Sequence, residues 1–196
     1  MAGIREQQKA EKKKKLLDAA YDCFVDKGVH KTSIDDIVAR AGVAKGTFYL
    51  YFTDKSDLSD QLCVSLSKKI LFHAYHVVKR QAVTGYTATV LAFVDAIIEY
   101  LKQHKPLLAL LEKNLSWPII EKELSGMEDE EFRHITDLLL DNPHRPNESR
   151  ETAVKYVYSI LALCGSVGYS SIIDEQPDTI DNMKPVLYDI IARILK

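Results

Sequence analysis

The stretch "TSIDDIVARAGVAKGTFYLYFTDKSDL", residues 32–58, decides the fold of this 196-residue chain. Ser33 can cap a helix, with Asp36 three residues later in the place that a capping box requires. The helix predicted there ends at Gly42, and a short second helix is predicted over about 44–50. A helix, a tight turn through glycine and a second short helix form a helix-turn-helix.

A glycine stands in the first turn of the short helix, where a side chain would normally favour the helix. Within a helix, glycine costs about 1 kcal/mol relative to alanine. The second helix of a helix-turn-helix presents its amino-terminal residues to base edges in the major groove. A position without a side chain lets the backbone approach DNA closely there. Gly46 therefore predicts a double-stranded DNA partner.

The residues beside Gly46 carry groups that suit phosphates and base edges. Lys45 is placed for a phosphate or a guanine edge. Thr47 can hydrogen-bond a base or touch a thymine methyl group. Tyr49 and Tyr51 carry hydroxyls at the ends of rigid rings, which suits phosphate oxygens.

Two further candidates stand at the starts of helices, where free backbone N–H groups attract phosphates. These are Ser33 and Lys55, whereas Phe48 and Phe52 are predicted to fill the core of the small domain. The predicted DNA-binding residues are Ser33, Ala44, Lys45, Gly46, Thr47, Tyr49, Tyr51 and Lys55.

The charge distribution favours an anionic partner at the amino-terminal end. Residues 1–55 hold 11 lysines and arginines against 8 acidic residues, whereas residues 56–196 hold 15 against 20. A part with net charge +3 thus precedes a body with net charge −5. The lysine run at 12–15 has two interpretations, a solvated helix start or an arm that faces phosphates, and both stay open.

The rest of the chain keeps a helical period. Glycine (8) and proline (6) are sparse, and the period-2 alternation of strands is nowhere sustained. Helices are predicted over about 9–27, 33–41, 44–50, 54–81, 87–103, 106–115, 132–140, 148–173 and 179–195. The predicted fold class is all-α, with about nine helices. A helix-turn-helix head of three helices, residues 1–54, precedes a larger helical body, residues 55–196.

Other classes of protein find little support. The chain has no nucleophile elbow, P-loop, HExxH or dinucleotide-binding glycine motif, so we expect neither enzymatic activity nor a cofactor. His73 and His76 are spaced to share a metal ion, but no third ligand is apparent, so no metal site is predicted. The cysteines, Cys23, Cys63 and Cys164, form no CxxC pair, which favours free thiols in the cytoplasm.

A membrane association is not expected either. The chain starts without an apolar segment of the secretory type. Residues 156–173 are uncharged over 18 residues, which is near the minimum for a membrane span. Because this segment contains four serines and two glycines, it favours a bundle or subunit-interface helix.

The opening stretch resembles the DNA-binding signature of TetR-family transcriptional regulators. The usual run there is close to T-x-x-x-I-A-x-x-A-G-V-S-K-G-T-x-Y-x-Y-F, followed by K-x-x-L. The matching residues are Thr32, Ile37, Ala41, Gly42, Val43, Lys45, Gly46, Thr47, Tyr49, Tyr51, Phe52, Lys55 and Leu58. Val38 and Ala44 depart from the run, because they stand where alanine and serine are usual. The resemblance is ungapped and covers about residues 10–60.

The resemblance implies a homodimer that binds a pseudo-palindromic operator, represses transcription and is released by a small-molecule effector. The body would then bind the ligand and dimerise. Candidates for lining the ligand pocket are Phe93, Tyr100, His104, Asn114 and Trp117. Each of these could instead be an ordinary core or interface residue.

The resemblance also implies that the last two long helices form the dimer interface, and the apolar residues on these helices agree. The candidates are Val157, Ile160, Leu161, Cys164, Gly168, Leu187, Ile190 and Ile194. The alternative is that they form the chain's own core. An alternative function is a TetR-like module that acts through a protein partner, with weak or no DNA binding.

Overall fold

The computed structural model describes residues 2–114 and 130–196, without the side chains of residues 2–5, 113, 114, 131 and 132. Over these ranges the chain forms nine α-helices and no strand, which confirms the all-α prediction. A π-helical segment, Ser170–Asp174, directly follows the eighth helix. The helices are α1 (Ala2–Lys27), α2 (Ile34–Ala41), α3 (Lys45–Phe48), α4 (Lys55–Gln81), α5 (Tyr86–Gln103), α6 (Lys105–Asn114), α7 (Glu130–Leu140), α8 (Arg150–Tyr169) and α9 (Ile180–Ile194).

Helix α2 begins and ends as its sequence predicts. The Ser33 hydroxyl accepts a hydrogen bond from the Asp36 backbone N–H at 3.1 Å, and the Asp36 carboxylate accepts one from the Ser33 N–H at 2.7 Å. This reciprocal capping box satisfies two backbone donors at the helix start. Gly42 ends the helix with φ +67°, a left-handed conformation in which a side chain would be strained.

The first helix is longer than its predicted span, since it begins at Ala2 rather than near Lys9. Residues 2–15 are rich in glutamate, glutamine, lysine and alanine, which are strong helix formers, and they show no apolar periodicity. The side chains of residues 6–15 are mostly exposed, and the first buried side chain described in α1 is Leu16. The apolar pattern therefore marks where α1 starts to pack, not where it starts.

The core of the head closes over the two predicted phenylalanines. Phe48 and Phe52 are buried among apolar residues of α1 and α2, which confirms their assignment to the core. Leu58 and Leu62, on α4, belong to the same cluster. The head thus uses the first two turns of α4, and its packing crosses the predicted domain boundary at residue 54.

In the described part of the body there are three further apolar clusters, one of which lies between α4 and α6. Helices α5, α8 and α9 pack around Ile98, Leu187 and Ile191, and helices α4, α5 and α7 pack around Ala74 and Ile135. Helix α4 therefore runs from the core of the head into the core of the body. Any rotation of α4 would move both.

Part of the predicted dimer interface lies inside the chain. Ile160, Gly168 and Leu187 are buried within the single chain and so offer no surface to a partner, which corrects their assignment. Helices α8 and α9 carry apolar residues on more than one side, and tertiary packing selects which side is covered. The remaining candidates are half-buried (Val157, Leu161, Cys164 and Ile194) or exposed (Ile190).

Candidate nucleic-acid interface

The segment after Gly42 forms a two-sided structure. After α3 the chain continues to turn, because the N–H groups of Tyr51 and Phe52 both donate to the carbonyl of Phe48, at 3.0 Å. Phe48 and Phe52 point into the head. On the other side Gly46 and Tyr49 are exposed. The buried side anchors the segment and leaves its opposite side free for a partner.

Open space surrounds the glycine that the sequence singled out. A Cβ atom built on Gly46 would meet nothing within 4 Å outside its own helix. The head's own packing therefore does not require a glycine here. Its φ is not in the left-handed region either, so the turn does not require one. The remaining physical reason for the missing side chain is the approach of something from outside.

Lys45 is held by a surface ion pair. Its ammonium lies 2.9 Å from a carboxylate oxygen of Asp35, and both side chains are largely exposed. The hydrogen bond from Lys45 to Asp35 raises the pKa of the lysine. Exposed pairs of this kind are weak, because water competes for both ions. The pair orients Lys45 beside the outward side of the segment, which is the side that exposes Gly46 and Tyr49. A phosphate could replace Asp35 as the partner of Lys45.

Two predicted contact residues have their side chains committed to the fold. The Lys55 ammonium donates to the carbonyls of Val29 and Thr32, both at 2.8 Å, and to that of His30 at 3.4 Å. It therefore holds the loop between α1 and α2. The Ser33 hydroxyl is part of the capping box. At these two positions the side chains are engaged within the head, which leaves the backbone N–H groups of the helix starts as the groups that could attract a phosphate.

The other predicted contacts differ in exposure. Tyr49 is exposed, whereas Thr47 and Tyr51 are half-buried. Ala44 occupies the N-cap position of α3, without a side-chain hydrogen bond to the helix start. Leu50, which is not among the residues predicted from the sequence, is exposed beside Tyr49. Its position four residues after Gly46, on the same side of a helical turn, was the available signal.

The predicted pocket residues do not converge. The rings of Tyr100 and His104 stack at 4.1 Å and line an open cleft of about 1090 Å³ between α1, α4 and the start of α6. Phe93 lies in a different place, buried in the cluster around Ala74 and Ile135. The side chain of Asn114 and the whole of Trp117 lie outside the described residues. Among the described residues, no three metal-ligating side chains come together.

The last two helices carry an exposed apolar surface. Val186 and Ile190 on α9 are 56% and 40% exposed, and Tyr158 on α8 is 39% exposed. We call Tyr158, Val186 and Ile190 the α8–α9 face. Helix α8 with its π-helical end, Arg150–Asp174, is long and apolar enough to cross a membrane, but such length and composition are weak evidence for a span.

A capped helix, a glycine turn and a short helix with an open outward side define a helix-turn-helix DNA-binding protein. Residues 16–62 match the family model for bacterial regulatory proteins of the tetR family. The amino-terminal head of this chain is therefore similar to the DNA-binding part of TetR-family transcriptional regulators.

Curated relatives match this protein over part of its length. The chain is 40% identical over 72 residues to the uncharacterized HTH-type transcriptional regulator YvdT of Bacillus subtilis (strain 168), an alignment that covers 37% of this chain and 35% of YvdT. The chain thus spans about a third of the length of that relative. A match of this extent relates one part of each protein and leaves the remainder of the two chains uncompared.

Solved structures share the fold over nearly the whole chain. A TetR-family transcriptional regulator from Streptomyces coelicolor superposes with a TM-score of 0.66 at 14% identity, over 94% of this chain and 97% of that one. The transcriptional regulator FadR from Bacillus subtilis, in complex with stearoyl-CoA, gives 0.64 at 17% identity, over 91% and 96%. At these identities the likeness is one of fold alone.

Proposed function

We propose that this regulator binds a pseudo-palindromic operator in the cytoplasm as a homodimer, represses transcription there and is released by a small-molecule effector. The observation that carries the proposal is the outward side of the recognition segment, residues 44–52. Gly46 is open, Tyr49 is exposed and Lys45 is held only by a weak surface pair. These groups suit contacts with DNA phosphates and with base edges.

The α8–α9 face supports the homodimer. Exposed apolar side chains on two helices that pack against each other offer apolar surface that a second copy can cover, and most dimers are two-fold symmetric. A two-fold axis would present two recognition segments to DNA about one helical turn apart, 34–36 Å in simple cases. Such a pair of heads matches a pseudo-palindrome.

The course of α4 supports release by an effector. Leu58 and Leu62 are part of the head's core, whereas Ile70 and Ala74 lie in clusters of the body. A ligand that prefers one arrangement of the body would therefore shift α4 and change the spacing of the heads. To move occupancy from 1:99 to 99:1, it needs a preference of about 5.5 kcal/mol between the two states.

The first experiment measures operator binding and its salt dependence. Selection from a random duplex pool gives a bound sequence, whose affinity is then measured by fluorescence anisotropy at several salt concentrations. We expect affinity to fall steeply with salt, because phosphate contacts release counterions. The double variant Lys45→Ala, Tyr49→Ala should abolish binding while the dimer stays folded. Binding equal to that of the parent would exclude this segment as the DNA-binding site.

The same assay separates the alternative function. A module that acts through a protein partner would select no duplex sequence even at low ionic strength. For the effector, stearoyl-CoA is a first probe, because the FadR of Bacillus subtilis with the same fold was crystallised with it. A compound that stabilises this protein against heat but leaves its operator affinity unchanged would contradict the proposed release.

A further inference from the structure

Leu50 is the most exposed large apolar side chain in the part of the chain that the structure describes. It is 75% exposed, whereas the next most exposed, Val186, reaches 56%. Single exposed leucines are common on protein surfaces and need no explanation by themselves. The position of Leu50 relative to its neighbours is what distinguishes it.

Leu50 stands opposite the anchor of the recognition segment. The chain keeps turning after α3, since the Leu50 N–H donates to the Thr47 carbonyl at 3.3 Å. At about 100° per residue, a residue midway between Phe48 and Phe52 lies on the far side of the turn from both. Because both phenylalanines are buried, Leu50 is at the centre of the outward side.

The surroundings of Leu50 are open. Gly46 precedes it by four residues and therefore lies in the same stripe of the outward side. Since a Cβ at Gly46 would meet nothing within 4 Å, bare backbone adjoins the leucine. A duplex that approaches Gly46 closely would reach the isobutyl group of Leu50 in the same groove.

Only one base offers an apolar group at the floor of the major groove. Thymine carries a 5-methyl group there, whereas the other bases present donors and acceptors to which a leucine cannot bond. Covering such polar groups with a leucine would leave them without partners. We propose that Leu50 contacts the 5-methyl group of one thymine in each operator half-site and makes the regulator specific for thymine there.

This inference rests on the proposed operator binding, and a chemical substitution in the DNA tests it. Each thymine of the selected operator is replaced in turn by deoxyuridine, which lacks only the 5-methyl group, and the affinity is measured at fixed salt. We expect one position per half-site where the replacement weakens binding about fourfold, as for the removal of one buried methyl group.

The Leu50→Ala variant then identifies the residue that reads the methyl group. In this variant the fourfold effect of deoxyuridine should disappear at that position and persist at any other, because the two changes remove the same contact. Thr47→Ser is a needed comparison, since the methyl group of Thr47 could touch a thymine as well. It should leave the deoxyuridine effect unchanged. Val25→Ala, at an exposed apolar residue elsewhere in the head, is the matched control.

The outcomes separate the two proposals. Suppose that the parent protein selects an operator, but that deoxyuridine weakens binding equally in the parent and in the Leu50→Ala variant. Leu50 then does not recognise thymine, whereas the proposal of operator binding stands. The inference also fails if the coupling follows Thr47→Ser. If the parent selects no duplex, operator binding fails and the inference fails with it. Renewed selection with Leu50→Asn should move the preference from thymine towards adenine, which asparagine recognises.

Discussion

At the scale of single residues, two neighbouring aspartates at the start of α2 hold basic and polar side chains of the head. Asp35 holds the Lys45 ammonium at 2.9 Å, and Asp36 bonds both Ser33 and Lys27. The hydrogen bond from Lys27, followed by those from Ser33, lowers the pKa of the Asp36 carboxyl, so it stays ionised at neutral pH. The Asp35 carboxylate, beside the recognition segment, would repel phosphates, and its ion pair with Lys45 reduces that repulsion.

Asp35 is expected to limit DNA affinity. In Asp35→Asn, Lys45 loses its ionic partner and one negative charge near the phosphates is removed, so operator affinity should rise severalfold at low salt. Anisotropy titrations at several salt concentrations check this. Asp18→Asn, an equal charge change at an exposed position of α1, is the control. Equal gains in both variants would mean that net charge, and not Lys45, is responsible.

Lys55 is expected to stabilise the head. Removing its ammonium leaves three carbonyls of the α1–α2 loop without their donor, and a hydrogen bond to a charged group contributes about 1.5–3 kcal/mol. Lys55→Met keeps most of the aliphatic stem and should lower the free energy of unfolding by about 2 kcal/mol in urea titrations. Lys31→Met, at an exposed lysine, should change it little. If Lys55→Met were as stable as the parent, the ammonium of Lys55 would not be needed for folding and would again be a candidate for DNA contact.

At the scale of secondary-structure elements, local chemistry was predictable and distant partners were not. Ser33, Asp36 and Gly42 act within a few residues of one another, and the sequence predicts the start and end of α2 correctly. Lys55 bonds to carbonyls 23 to 26 residues earlier in the chain, which no local pattern reveals. The apolar residues of α8 and α9 likewise divide between the core and the surface according to how the body packs.

The lysine run of α1 is expected to act as an arm that faces phosphates. Lys12 and Lys14 are exposed, and the ammonium of Lys13 lies 5.8 Å from the ring centroid of Phe52, so the run is next to the recognition segment. In the double variant Lys12→Gln, Lys14→Gln, the slope of log affinity against log salt should become shallower. The expected change is about 0.9 for each phosphate that no longer has a lysine partner.

A matched double variant distinguishes this arm from the general charge of the protein. Lys69 and Lys105 are exposed lysines of the body, on α4 and α6, and Lys69→Gln, Lys105→Gln removes the same charge. It should leave the salt slope unchanged. If the two double variants show the same slope as the parent, the run is a solvated helix start.

At the scale of the whole molecule, the described residues leave apolar groups exposed both in the recognition segment and on the last two helices. Leu50 and Tyr49 are exposed in the head, and the α8–α9 face is exposed in the body. The single chain therefore covers its own cores. The outward side of the recognition segment, in the head, and the α8–α9 face, in the body, stay exposed. Helix α4 connects the head to the body, so the proposed dimerisation, effector binding and operator binding would be coupled through one element.

We expect the α8–α9 face to form the dimer interface, and we expect operator binding to require the dimer. Val186→Glu with Ile190→Glu places two carboxylates where a second copy would exclude water, so sedimentation should show a monomer that is still helical by circular dichroism. Operator affinity should fall in this double variant, because two heads on one axis bind as linked sites and a single head does not.

Val25→Glu is the control, at a residue as exposed as Ile190 (40%) but located in the head, and this variant should remain dimeric. A double variant that stays dimeric would place the interface elsewhere, whereas a monomer with undiminished operator affinity would show that a single head suffices.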